Sequence, residues 1–159
     1  DGFHFAAQCG DEVKIHMQDV HEIKMDGQDF VLNTGSPHYV TLNSDHAAET
    51  VVALGKSIRY SEKYNQNGIN VNLLSVEDDG IRVATYERGV EGETLSCGTG
   101  VTACALVYAM KLETFSQRVK VRTKGGSLEV AWEKNMHGFQ RIFLIGPATF
   151  VYQGKIERC

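Results

Sequence analysis

The 159-residue chain has no basic stripe, no long apolar run and no paired-cysteine motif, and each absence removes a class of function. Sixteen Lys and Arg against twenty Asp and Glu leave a net charge of −4, so nothing is set up to neutralise a track of phosphates and no nucleic-acid partner is expected. The longest apolar run lies within residues 101–110 and is too short to span a bilayer, so no membrane partner is expected either. The opening Asp1-Gly2-Phe3-His4-Phe5 lacks a charged segment followed by an apolar one. No signal peptide is read there, and a cytoplasmic location follows as an expectation. The same opening has no initiator methionine and reads as a piece of something longer.

Four cysteines (Cys9, Cys97, Cys104, Cys159) form no CxxC pair and no His/Cys cluster at zinc spacing. Free thiols and no metal are expected. His4, His16, His21, His46 and His137 also lack metal spacing and read as surface or edge groups. There is no internal repeat, linker or low-complexity tract, and the length suits a single domain over 1–159.

What is present is mostly strand. Residues 12–18 alternate strictly, with Val13, Ile15 and Met17 on one face. Residues 20–25 and 29–32 alternate less cleanly around the turn Asp26-Gly27, and 37–42 is a further strand candidate. Ser44-Asp45-His46 reads as an N-cap for an amphipathic helix over 47–56, with Val51, Val52 and Leu54 on its apolar side. Residues 69–76 and 81–86 flank Asp78-Asp79-Gly80 as a hairpin. Strands are expected again at 118–122, 127–132, 139–145 and 148–152, with Gly125-Gly126 and Gly146-Pro147 as breaks. Two helices among about ten strands imply an α+β fold, a largely antiparallel sheet around the uniformly apolar helix that follows Cys97. Phe150, Tyr152 and Ile156 near the chain end would leave an apolar edge in search of another strand.

The most informative stretch is Glu87-Arg88-Gly89-Val90-Glu91-Gly92-Glu93-Thr94-Leu95-Ser96-Cys97-Gly98-Thr99-Gly100, a polar loop that ends in a thiol and passes into that helix. A cysteine at a helix N-terminus meets unpaired N–H groups and the positive end of the macrodipole, which favour the thiolate. The same N–H groups suit a carboxylate or phosphate. Cys104 sits seven residues further on, about 10 Å deeper along the axis, and reads as a small buried hydrophobe.

This stretch, with Thr34-Gly35-Ser36-Pro37-His38, Ile69-Asn70-Val71-Asn72 and Gly146-Pro147-Ala148 in the same order, resembles the C-terminal half of the diaminopimelate epimerases. The resemblance implies one lobe of a two-lobed, cofactor-independent enzyme that inverts an α-carbon of LL-diaminopimelate to the meso form, in lysine and cell-wall precursor synthesis. Each lobe of that family carries one catalytic cysteine at a helix N-terminus, and the full-length proteins form homodimers. On the matching positions, the resemblance makes Cys97 the catalytic thiol, Glu87 an active-site carboxylate that also engages the substrate amino group, and His38 a histidine grouped with the other lobe's cysteine. It makes Gly98 and Thr99 the N–H donors to the reacting carboxylate, Arg88 the ligand of the distal carboxylate, and Asn70 a substrate-contacting amide.

Two departures stand out: Ser36 replaces a frequent asparagine, and Val90-Glu91 makes the loop one residue longer than in some relatives, read as a tolerated insertion. The other lobe's Cys-Gly-Asn-Gly run is absent, and Cys9-Gly10-Asp11 leads into a strand instead. The implied partners are therefore an amino-dicarboxylate and a missing N-terminal lobe, to which a strand over 147–159 would pair. The chain alone is expected to be inactive. Two other readings stay open on the residues themselves: a dicarboxylate-binding module without turnover, and a proline racemase-like isomerase lobe. Locally, Cys97 also fits a helix-capping thiol, His38 a strand histidine, Glu87 and Arg88 an exposed charged pair, and Asn70 an edge residue.

Overall fold

A computed structural model describes residues 3–111 and 116–157; Cys159 lies outside the described residues. The chain runs through β1 (Ala6–Cys9), β2 (Glu12–His16), β3 (Lys24–Asp26), β4 (Asp29–Asn33), β5 (Pro37–Leu42) and α1 (Ala48–Arg59). It continues with β6 (Asn70–Glu77), β7 (Gly80–Glu87), β8 (Gly92–Thr94), α2 (Gly98–Lys111), β9 (Arg118–Thr123), β10 (Gly126–Asn135) and β11 (Gly138–Pro147). The strands join in one sheet in the order β1-β2-β11-β10-β9-β7-β6-β5-β4-β3, with β8 paired on β7. This is the expected α+β architecture. Among the described pairs only β5 with β6 and β7 with β9 run parallel. Each parallel pair is bridged by a helix, α1 in the first and α2 in the second, because parallel neighbours need a crossover.

The two crossovers lie on opposite faces of the sheet. Helix α2 is apolar nearly all round, and residues 100–107 are buried along its length, as a helix with no polar face must be. Around it pack Phe30, Leu32, Val40, Leu74, Ile81, Val83, Val121, Val130 and Ile142, contributed by strands from β4 to β11. Helix α1 covers the other face of the central strands, where Tyr39, Val71, Leu73, Ala84 and Tyr86 alternate with the residues that face α2. It lies so close that a β-carbon at Gly55 would collide with the Tyr86 ring. The period-2 register therefore sends one set of side chains from β5, β6 and β7 to α1 and the other to α2.

Some expectations shift. Helix α1 is capped by Ala47 without a side-chain bond; Asp45, two residues earlier, accepts from the Ala47 N–H and the Thr50 hydroxyl instead. The strand expected at 20–25 shrinks to a bridge at Val20 and the short β3. The pair β1–β2 was not expected as a hairpin: Cys9 and Glu12 face each other across its turn. The closing strand expected over 147–159 does not form among the described residues. The ladder of β11 with β2 ends at Pro147, which has no N–H to donate, and 148–157 continues exposed and without strand pairing. Phe150, Val151, Tyr152 and Ile156 are all at least 79% exposed, so nothing within this chain covers the apolar groups that were expected to seek a partner. No described helix is long and apolar enough to cross a membrane.

Candidate active site

The mouth of α2 is built by its N-cap. The Cys97 carbonyl accepts the first helical bond, from the Val101 N–H at 2.8 Å, so the N–H groups of Gly98, Thr99 and Gly100 have no carbonyl one turn earlier to bond. Three contacts fix this end. The Thr34 hydroxyl donates to the Thr99 carbonyl at 2.8 Å, and the Gly125 N–H donates to the Leu95 carbonyl at 2.7 Å. Gly98 packs so tightly on β11 that a β-carbon there would meet Leu144 at 2.9 Å. The Cys97 Sγ lies 3.5 Å from the Thr99 hydroxyl. Cys97 keeps 9% of its surface, whereas Cys104 has none. Burial raises the Cys104 thiol pKa far above its usual value, with Cys97 adding to the shift, so only the first is placed for chemistry.

Below the mouth, the face of the sheet turned to α2 is polar at one end. By alternation His38 shares that face with Val40, Asn70 and Asn72 share it with Leu74, and Thr85 and Glu87 share it with Val83. Asn72 is the hub. Its Nδ2 donates to the Tyr39 carbonyl at 2.9 Å and lies 3.1 Å from His38 Nδ1, and its Oδ1 accepts from the Thr85 hydroxyl at 2.9 Å. Gly100 must be glycine here: a β-carbon would collide with Asn72 Oδ1 and sit 3.2 Å from Thr85 Oγ1 and 3.4 Å from Cys97 Cβ. The thiol loop and the buried amide network therefore meet at Gly100. His38 is fully buried. Burial lowers its pKa to about 3, and the Arg88 charge acts in the same direction.

The rim carries the charged groups. Asn70 Nδ2 donates to Ser36 Oγ at 3.0 Å and to the Pro37 carbonyl at 3.1 Å, while its Oδ1 accepts from the Arg88 N–H at 2.8 Å. Ser36 thus takes part in the hydrogen bonding of the rim. The Arg88 guanidinium donates to the Asn67 carbonyl at 2.9 Å and to Ser36 Oγ at 3.4 Å. No carboxylate among the described residues neutralises it, and Glu87, half-buried beside it, has no side-chain partner among them either. An unpaired guanidinium fork and an unpaired carboxylate flank the thiol loop, which suits a ligand carrying both charges.

The Val90-Glu91 segment makes contacts of its own. Glu91, at φ 58°, turns its carboxylate back onto α1. It accepts from the Tyr60 hydroxyl (3.0 Å), the Tyr86 hydroxyl (3.1 Å) and the Gly89 N–H (3.2 Å), with Arg59 Nε at 3.4 Å. Burial works against ionisation, yet the Gly89 N–H, the two hydroxyls and Arg59 together hold the Glu91 carboxyl below its usual pKa. Sequence reasoning missed Asn72, Thr85 and Glu91 as parts of the site. Of the expected site residues, His38, Asn70 and Glu87 lie at one end of the sheet, Cys97, Gly98 and Thr99 at the N-terminus of α2, and Arg88 on the rim. Among the described residues no group of three His, Cys, Asp or Glu could hold a metal ion.

The fold is shared with a hydroxyproline epimerase from Agrobacterium vitis solved with bound trans-4-OH-L-proline, at TM-score 0.62 and 19% identity, over 93% of this chain and 55% of that one. A phenazine biosynthesis protein of the PhzF family from Enterococcus faecalis aligns at TM-score 0.50 and 16% identity, over 76% of this chain and 40% of that one. The chain itself belongs to the diaminopimelate epimerase family, whose family model matches residues 30–151. It is 39% identical over 158 residues to the diaminopimelate epimerase of Flavobacterium psychrophilum, covering 98% of this chain and 62% of the relative. To that of Aquifex aeolicus it is 39% identical over 139 residues, covering 85% and 49%. The chain thus spans only about half to three-fifths of the length of these relatives.

Proposed function

We propose that the chain is the C-terminal half of a cofactor-independent diaminopimelate epimerase, which supplies one of two acid/base groups that invert the α-carbon between the LL and meso forms. The observation that carries this reading is Cys97 beside the Gly98 and Thr99 N–H groups, which have no carbonyl one turn earlier to bond, where the helix mouth meets the buried Asn72 network at Gly100. The α-carboxylate sits at the mouth of α2, where those N–H groups take up the negative charge that develops as the α-hydrogen leaves. Cys97 as thiolate removes that hydrogen from one face, and a thiol of the N-terminal half delivers a proton to the other. In the reverse direction Cys97 is the donor. Glu87 engages the substrate ammonium.

Arg88 pairs with the distal carboxylate, its guanidinium steadied by the Asn67 carbonyl and Ser36. The Asn70 amide N–H groups are already taken by Ser36 and Pro37. It therefore offers substrate only the spare lone pair of Oδ1, and it serves mainly by holding Arg88 through that chain's N–H. The remaining parts of the reading follow from the family: lysine and cell-wall precursor synthesis in the cytoplasm, a homodimer of the full-length protein, and exposed residues 148–157 docking on the N-terminal lobe.

With Cys97 as its one catalytic thiol, the chain alone does not epimerise. The test is loss of the α-hydrogen of LL-diaminopimelate into deuterated water, catalysed by the chain alone and by the chain mixed with its complementary half. Exchange by the mixture only supports the proposal. Exchange by the lone chain overturns the two-half requirement, and a folded mixture that binds diaminopimelate without exchange overturns the enzyme reading.

A further inference from the structure

We infer that Thr85 and Asn72 lock His38 as the neutral Nε2–H tautomer, so that the ring donates a hydrogen bond at this site instead of taking a proton. The Tyr39 backbone carbonyl can only accept, so the Asn72 group 2.9 Å from it is the amide NH2. The other end, Oδ1, receives the Thr85 hydroxyl at 2.9 Å, which pins the amide from the opposite side. The second hydrogen of the NH2 group then points at His38 Nδ1, 3.1 Å away. A ring nitrogen that faces a donor carries its lone pair, and in a neutral imidazole the proton therefore sits on Nε2. An imidazolium would set N–H against N–H.

The other nitrogen completes the case. Nε2 is buried and has no hydrogen-bond partner among the described residues, in a protein class where nearly all buried polar atoms have one. His38 itself has no exposed surface. A donor fixed this firmly and left unpaired is held for an acceptor that the described residues do not supply, either a carboxylate of the substrate or a thiolate or other anion of the complementary half. The burial that keeps the ring neutral down to a pKa of about 3 agrees with this role and opposes that of a base. Asn72 and Thr85 are thus positioning residues that act through His38. Only the identity of the acceptor rests on the epimerase reading.

The test is nitrogen-15 NMR of the histidine rings, on the chain alone and joined to its complementary half. The expected His38 pattern is an unprotonated Nδ1 and a protonated Nε2, unchanged from pH 5 to pH 8. Asn72→Asp places an acceptor opposite Nδ1 and should move the proton there. Adding diaminopimelate and the complementary half separately tells the two acceptors apart, by which of them shifts the Nε2–H signal. In the reconstituted protein His38→Gln, whose amide N–H can replace Nε2–H, should keep turnover within about tenfold, while His38→Ala should lose about a hundredfold, as for removal of one preorganised donor. A wild-type His38 that carries its proton on Nδ1 or titrates between pH 5 and 8 overturns the lock, and so does equal loss in the Gln and Ala variants. A locked tautomer in a reconstituted protein that exchanges no α-hydrogen upholds the lock and counts against the epimerase reading instead.

Discussion

Removing the Glu91 carboxylate tests whether the loop between β7 and β8 is held by its own chemistry. In Glu91→Ala the Tyr86 hydroxyl loses its acceptor, and Tyr86 is fully buried under α1. Leaving such a group unpaired costs about 1–3 kcal/mol. Arg59 also loses its counter-charge at 3.4 Å, whereas the exposed Tyr60 hydroxyl and Gly89 N–H return to water. A net loss near 2–3 kcal/mol corresponds to a fall of about 4–10 °C in Tm for a domain of this size. Glu91→Gly removes the same carboxylate but suits φ 58°, so it should be about 1 kcal/mol more stable than the alanine variant.

The pH dependence has a definite sign. The folded-state carboxyl is held below its usual value, so its contribution is complete above the unfolded pKa of about 4.3 and is lost as pH falls through the folded value. The gap between wild type and Glu91→Ala should therefore be wide at pH 7 and close progressively in acid. Site geometry should follow stability. A β-carbon at Gly68 would lie 2.6 Å from Arg88 Cδ and 2.8 Å from Arg59 Cζ, so the two cationic arms pass over one glycine, and among the described residues only Arg59 has a counter-charge. Urea unfolding at pH 7 and at pH 4 reads the effect. An alanine variant as stable as wild type at pH 7, with an unchanged m-value, would refute the reasoning.

Two further outcomes follow from the same geometry. Iodoacetamide near neutral pH should modify Cys97 far faster than the fully buried Cys104, read by peptide mass spectrometry on the folded chain; equal, slow rates at both would remove Cys97 from the chemistry. Gly100→Ala should destabilise the chain by up to about 2 kcal/mol, since the clash with Asn72 costs about 1–3 kcal/mol and the better helix propensity of alanine returns about 1. A stabilised Gly100→Ala variant in denaturant unfolding would mean that Asn72 has room to move, contrary to the close packing described.

The elements with one clear period were legible. Helix α2 declares itself by apolarity on every side, and the β6–β7 hairpin by a turn between alternating runs. The short β1 and β8 were not, because four and three residues are too few for a period and their pairing comes from neighbours. The site divides in the same way. Cys97, Gly98, Thr99, Glu87 and Arg88 lie in one continuous motif, so local chemistry exposes them. Asn72, Thr85 and the contact between Thr34 and Thr99 depend on which strands pair, and the latter two residues are 65 apart in sequence. One signal was there to be used: Asn70 and Asn72 occupy alternate positions of an otherwise apolar strand, and two polar groups on a core face imply a buried network. Glu91 gave no such signal, since a glutamate in a glycine-rich loop looks like any exposed charge.

The distribution of thiols argues that the site is one-sided by construction. Inversion needs proton carriers on both faces of the carbon, and the mouth of α2 addresses one. Cys104 cannot be the second: it is sealed in the core on the same helix, with its ionisation suppressed by burial. Cys9 is exposed at the β1–β2 hairpin, on the strand at the far end of the sheet from β5 and β6, with no helix mouth to favour an anion. His38 is neutral and has no exposed surface. The Thr34 and Thr85 hydroxyls are each fixed by a partner, on the Thr99 carbonyl and on Asn72. Glu87, without a side-chain partner among the described residues, sits on the same face of the sheet as Thr85, and on the proposed reading it engages the substrate ammonium, which leaves the second face of the carbon to a group from a complementary lobe.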